Sequence, residues 1–214
     1  MKLKKNDFIE INFTARLKQG DIFDSNIKED IEKSGLKTKP EPFIFALGQG
    51  MFLKSLDEFL IDKEPGKTYE VELSPEKAFG IRDAKLIQLM PLSVFKKHNL
   101  KAIPGMMYNF DGRLAKVLSV SGGRIRVDFN HPLAGKEVNY TIKVNRKLDN
   151  INEKIKAMNK FLFKKEFKFE IKDKKVIMHV ETPLVKFVEM FKEKFKEIFN
   201  LDLEVKELKE NKSK

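Results

Sequence analysis

Cysteine is absent from the 214 residues of this chain. Disulfides, thiolate nucleophiles and cysteine-ligated zinc are therefore excluded. Histidine is nearly as scarce: His98, His131 and His179 stand far apart in sequence, too few and too scattered for a metal cluster. No metal and no other cofactor is expected. No window approaches ~18 consecutive apolar residues, so no membrane span is expected. The opening residues Met1-Lys2-Leu3-Lys4-Lys5-Asn6-Asp7 pass directly into strand-like sequence without an apolar signal region. A cytoplasmic location is the default expectation.

What is present is a globular composition, 41% hydrophobic and 35% charged, with a net charge of +11. Disorder is disfavoured at that hydrophobic content. The charge is unevenly placed. Residues 81–135 hold nine Lys/Arg against three Asp/Glu, residues 147–214 hold eighteen against thirteen, and the remainder is balanced. Nucleic acid or acidic polypeptide could pair with the two basic segments. Acids interleave in both, and no aromatic ladder of the RNA-reading kind is visible, so nucleic acid is the weaker expectation.

Periodicity predicts an α+β fold. Phe8–Leu17 alternates as a half-buried strand, Gln19-Gly20-Asp21 turns the chain, and 22–26 re-enters the sheet. Residues 27–41 read as a loop or short helix and 42–47 as a second strand. Apolar spacings of three and four over Met51–Ile61 predict a short amphipathic helix, and Thr68–Leu73 alternates again. Within 81–135, Ser93 is a candidate helix cap. Strands are expected at 106–110, 114–120 and 124–129, the last two joined through Ser121-Gly122-Gly123. Alternation resumes at 137–144. From about Leu148 Phe and Lys dominate: a helix over 152–161, a hairpin of 167–171 with 176–180, one helix from Pro183 to Phe199, a strand over 201–205 and a frayed tail, 207–214.

The first domain offers no nucleophile–base pair, phosphate loop or metal set. It offers aromatics (Phe13, Phe23, Phe43, Phe45, Phe52, Phe79, Tyr140) and one acid, Asp24, next to Phe23. Four segments in order, Gly20-Asp-Ile-Phe-Asp24-Ser, Pro42-Phe-Ile-Phe-Ala-Leu-Gly48, Ser74-Pro-Glu-Lys-Ala-Phe-Gly80 and Asn130-His-Pro-Leu-Ala-Gly135, together resemble the FKBP family of peptidyl-prolyl isomerases. The last run, just before the final sheet strand, is similar to the SlyD type with its insert-in-flap chaperone domain. The resemblance covers roughly residues 3–145. It implies an antiparallel FKBP-like sheet wrapped on a short helix (1–82 and 135–147), an inserted small β-rich domain (83–134), and beyond it a C-terminal α+β domain (148–214). It also implies a pocket of Phe13, Asp24, Phe43, Phe52, Leu53, Leu56, Phe79 and Tyr140. Phe79 and Leu56 depart from the family, which has a tyrosine and often a tryptophan there.

The implied activity is cis/trans isomerisation of X–Pro bonds in unfolded or nascent polypeptides. Leu89, Met90, Val94, Phe95, Met106 and Phe110 are the expected polypeptide-binding residues of the insert, because so small a domain cannot bury all its apolar residues. A holdase without useful catalysis is the alternative reading, favoured by Phe79. The C-terminal module, marginal in size, should dock on the first domain or on a second copy, which makes a homodimer possible.

Overall fold

The computed structural model describes residues 1–208. The predicted tail falls mostly on 209–214, outside the described residues. Glu207 and Leu208 are held, the latter donating its N–H to the Val180 carbonyl at 2.8 Å.

The first part of the chain forms β1 (Phe8–Leu17), β2 (Ile22–Ser25), α1 (Lys28–Ser34), β3 (Phe43–Ala46), α2 (Lys54–Leu60) and β4 (Thr68–Leu73). The inserted segment contributes β5 (Ile87–Pro91), α3 (Leu92–Lys97), β6 (Met107–Phe110), β7 (Arg113–Ser121) and β8 (Arg124–Asp128). The chain then returns as β9 (Val138–Lys147). β1 is the hub of a five-stranded antiparallel sheet. One edge pairs with β9, which pairs in turn with β4. The other edge is shared, β3 taking the Phe8–Ile11 half and β2 the Thr14–Arg16 half. Alternation puts Ile9, Ile11, Phe13 and Ala15 on one face, buried with Leu56 and Leu60 of α2.

α2 starts three residues later than its periodicity suggests. The backbone of Gly48 and Gly50 has positive φ, and buried Asp57 accepts both their N–H groups at 2.7 and 3.1 Å. Met51 folds back so that its sulfur accepts the Ala46 N–H. Those contacts use up the first predicted turn.

The insert is a four-stranded sheet, β5-β8-β7-β6, with its own small core of Phe95, Phe110, Ala115, Val117, Ile125 and Val127. Gly122 and Gly123 both have positive φ, as a two-residue hairpin turn requires. β5 was not anticipated from the sequence; it is an edge strand that ends on Pro91. Ser93 does not cap α3, because Leu92 N–H is already pinned to the Gly123 carbonyl at 2.9 Å and the helix begins there.

The C-terminal residues form α4 (Ile151–Phe163), β10 (Lys168–Lys172), β11 (Lys175–Val180), α5 (Val185–Glu189), α6 (Lys192–Phe199) and β12 (Asp202–Glu207). β12 adds in parallel to β11, so the two short helices form the crossover. The single helix predicted from Pro183 to Phe199 is broken. A 3-10 turn covers Thr182–Leu184, and the helix is interrupted after Glu189, with the backbone leaving helical geometry at Phe191. The bend lets Val188 and Phe195 both be buried while Phe191 packs edge-on to Phe163 and Phe187.

This module docks on the first domain of its own chain. Phe8 stacks on Phe199 at 5.4 Å, α4 packs against β3, and the two parts share one continuous apolar core. The extra buried area that a module of this size needs is thus found within the chain.

Asn159 of α4 is fully buried, and among the described residues neither of its side-chain polar atoms has a partner. Removing a buried unsatisfied amide recovers about 1–3 kcal/mol. Asn159→Leu should raise Tm by a few degrees in thermal unfolding. A lowered Tm would mean that the amide is satisfied in solution.

Candidate functional site

The β1–β2 junction builds one wall of a solvent-open hollow. β1 presents Phe13 and β2 presents Asp24, while a bulge at Ala15–Arg16 re-aims the pair. Asn26 locks this corner: its Oδ1 accepts the Phe13 N–H at 2.7 Å and its Nδ2 donates to the Ile11 carbonyl at 3.0 Å. Ser25 Oγ donates to the Phe13 carbonyl at 3.0 Å. β3 supplies Phe43, and the turn before α2 supplies Phe52.

Phe13, Asp24, Phe43 and Phe52 together line a hollow of about 390 Å³. Phe52 lies 5.3 Å from Phe13 and 5.7 Å from Phe43, ring centre to ring centre. Tyr140, from β9, stands behind Phe13 and Phe52 at 6.3 and 6.1 Å. Phe79 joins the cluster through Phe23, at 5.8 Å. Leu53 caps α2 and is half-buried; Leu56 is fully buried beneath the aromatics rather than lining the hollow. The two departures from the family pattern thus sit at the side and below.

Burial pushes the Asp24 carboxyl above the usual carboxylate range, and the Ser25 N–H partly offsets this. Burial and the nearby Asp24 charge raise the Tyr140 phenol as well, so its hydroxyl stays protonated.

Three contributors were missed from sequence. Phe23 packs edge-on to Tyr140 at 6.0 Å; its place in the Phe-Asp step was the available signal. Asn26 was read only as part of a re-entering strand. Lys160 of α4 lines the hollow, and no local pattern connects it to Phe13.

In the insert, Phe95 and Phe110 must be corrected as polypeptide-binding residues. They are 0% and 7% exposed and fill the small domain's core. Met90 and Val94 are half-buried against that core. Leu89 and Met106 are exposed, at 64% and 50%. Strand register puts Leu89 opposite Arg126 and Met107 opposite Lys116. The sheet's outer face therefore mixes exposed Leu89, Met107 and Leu114 with cations.

The Asn130-His-Pro-Leu-Ala-Gly135 run has a physical role at the root of the insert. Asn130 Oδ1 accepts the Asp83 N–H at 2.8 Å, and its Nδ2 donates to the Asp83 carbonyl at 2.9 Å and to Asp128 Oδ1 at 2.6 Å. Arg82 pairs with Asp128 at 2.5 Å. Burial opposes ionisation of Asp128, but the Asn130 and Arg82 contacts win and hold its carboxyl low. His131 stacks flat on Phe79 at 4.7 Å, tying the root to the aromatic cluster.

Comparison with known proteins agrees with the fold. The family profile described as FKBP-type peptidyl-prolyl cis-trans isomerase matches residues 1–95, and the one described as FKBP26, IF domain matches residues 88–133. The short-type peptidyl-prolyl cis-trans isomerase of Methanocaldococcus jannaschii is 32% identical over 145 residues, which cover 66% of this chain and 92% of that protein. The FKBP-type 16 kDa isomerase of Escherichia coli is 27% identical over 146 residues, 66% of this chain and 91% of that one. SlyD of Haemophilus influenzae is 26% identical over 148 residues, 67% and 72%. Among the described residues no helix is long and apolar enough to cross a membrane. With its antiparallel sheet wrapped on α2, its aromatic hollow and these matches, the chain belongs to the FKBP-type peptidyl-prolyl cis-trans isomerases.

Proposed function

We propose that the hollow of Phe13, Asp24, Phe43 and Phe52 binds the prolyl ring of an unfolded or nascent polypeptide in the cytoplasm and isomerises the X–Pro bond there, while the inserted domain holds the rest of the chain. The observation that carries this is the convergence of three aromatic rings and one half-buried carboxylate on a single concavity.

Amide rotation has a barrier of about 18–20 kcal/mol because conjugation gives the C–N bond double-bond character. Conjugation also polarises the planar form, and water stabilises that polarity. The twisted state is less polar, so transfer from water to an aromatic-walled hollow costs the planar form more. A ~10⁴-fold acceleration needs only about 5–6 kcal/mol of differential stabilisation. No covalent step, metal or proton transfer is required. Asp24 orients the bond and accepts a hydrogen bond from a substrate N–H. The Tyr140 hydroxyl is the protonated donor that remains in an aromatic set where Phe79 has none.

The chaperone part of the proposal rests on the outer face of the β5-β8-β7-β6 sheet, where Leu89, Met107 and Leu114 lie exposed beside Lys116 and Arg126. Such a surface suits extended apolar segments of varied sequence. Refolding of a protein limited by a native cis-proline tests both parts. At substoichiometric concentration the chain should accelerate the slow phase. A holdase without catalysis would leave the rate unchanged or lower it.

A further inference from the structure

A second concavity, of about 480 Å³, lies between β3 and α4, and its floor is Pro42, Phe43, Ile44, Ala157 and Phe161. It is continuous with the prolyl hollow: Pro42, Phe43 and Lys160 line both. Lys160 crosses the junction to pair with Glu41 at 2.8 Å. One wall of this cleft comes from the isomerase sheet and the other from the C-terminal domain.

Its rim is charged, and the charges are unequally satisfied. Arg146 is engaged by Glu10 and Glu153, at 3.0 and 3.1 Å. Lys164 lies over the Phe161 ring at 5.1 Å. Among the described residues neither Lys164 nor Lys156 has a carboxylate within ion-pair distance, and Glu166 is the one rim acid outside an ion pair. The surplus at the rim is positive. Lys156 and Lys164 are separated by about 12 Å of helix rise, which an extended chain covers in about three to four residues.

We propose that this cleft is a specificity subsite for the stretch of polypeptide that runs on from the bound proline, and that it selects an acidic side chain with an apolar neighbour within about five residues of that proline. The inference rests on the prolyl-site reading above. The apolar side chain occupies the Ile44–Phe161 floor, and the carboxylate pairs with Lys156 or Lys164, beside the Lys160 already held by Glu41. Glu41 already shows the geometry, because it holds Lys160 from the prolyl side. The C-terminal domain then acts in substrate choice.

The test compares three peptides by NMR exchange: a neutral tetrapeptide too short to reach Lys156 and Lys164, and two decapeptides with the same X–Pro bond, flanked by Glu-Leu or by Lys-Leu. Every result is read as a ratio of kcat/KM to that of the tetrapeptide. The wild-type chain should favour the acidic decapeptide over the basic one by about tenfold, and the preference should shrink as salt is raised. The Lys156→Glu/Lys164→Gln double variant should abolish or invert it. Both lysines are solvent-exposed, and circular dichroism checks the fold. Equal ratios for the two decapeptides in the wild type, or a preference unchanged in the double variant, would overturn the subsite. Failure to turn over the tetrapeptide at all would instead strike the prolyl site, and the subsite would fall with it.

Discussion

Excising residues 83–134 and joining Arg82 to Gly135 through a short loop should slow catalysed refolding of a proline-limited protein by about 10²-fold, and leave tetrapeptide turnover within about twofold. Tethering an unfolded chain beside a catalytic hollow makes encounter intramolecular, and linked sites commonly gain about 10²–10⁴ in effective affinity. A tetrapeptide cannot span both sites and gains nothing. The excision is structurally mild. The insert has its own core, and the Gly135 N–H already donates to the Gly80 carbonyl at 2.8 Å, so the ends to be joined are neighbours. Equal losses on both substrates would mean that the insert only props the aromatic cluster, through the His131–Phe79 stack.

Asp24→Asn should lower kcat/KM on a tetrapeptide by about tenfold or more, since hydrogen bonds to charged groups are worth roughly 1.5–3 kcal/mol. The same variant should be more stable at neutral pH. The folded Asp24 carboxyl holds its proton more tightly than the unfolded one, because burial disfavours its charge. Its contribution to stability is therefore complete below the unfolded value, about 3.9, and is lost as pH rises through the elevated folded value. An amide at this position avoids that loss. The acid limb of kcat/KM should accordingly lie above the ordinary carboxylate range in the wild type and vanish in Asp24→Asn. Unchanged turnover combined with raised stability would reduce Asp24 to a poorly solvated bystander.

Much of the first domain was legible because its signals are local. Period-two alternation marked β1, β4 and the start of β9, since polar residues alternate with buried apolar ones along each strand, although in β1 the polar positions are themselves half-buried or buried. The paired glycines at 122–123 specified the hairpin from turn geometry alone. Aromatic content and the Phe23-Asp24 step pointed to the hollow through family resemblance, not through spacing. What stayed hidden depends on tertiary contacts. β5 carries Ile87, Leu89 and Met90 in a segment without clean alternation, so its exposed apolar residues obscured its edge-strand character. The break at Met190–Phe191 contains neither proline nor glycine; it arises from packing of Phe163, Phe187 and Phe191. Phe95 and Phe110 look like groove residues in a Met-rich segment, yet three-dimensional closure places them edge to face at 5.1 Å in the core. Lys160 is more than a hundred residues from Phe13 in sequence, and only the docking of α4 on β3 brings it to the hollow.

The most direct measurement is NMR exchange between the cis and trans forms of a short X–Pro peptide, recorded while the signals of the protein are followed. Catalysis at the aromatic hollow predicts faster exchange together with shifts concentrated at Phe13, Asp24, Phe43 and Phe52. Exchange that stays at the uncatalysed rate, or shifts confined to the outer face of the insert, would contradict it.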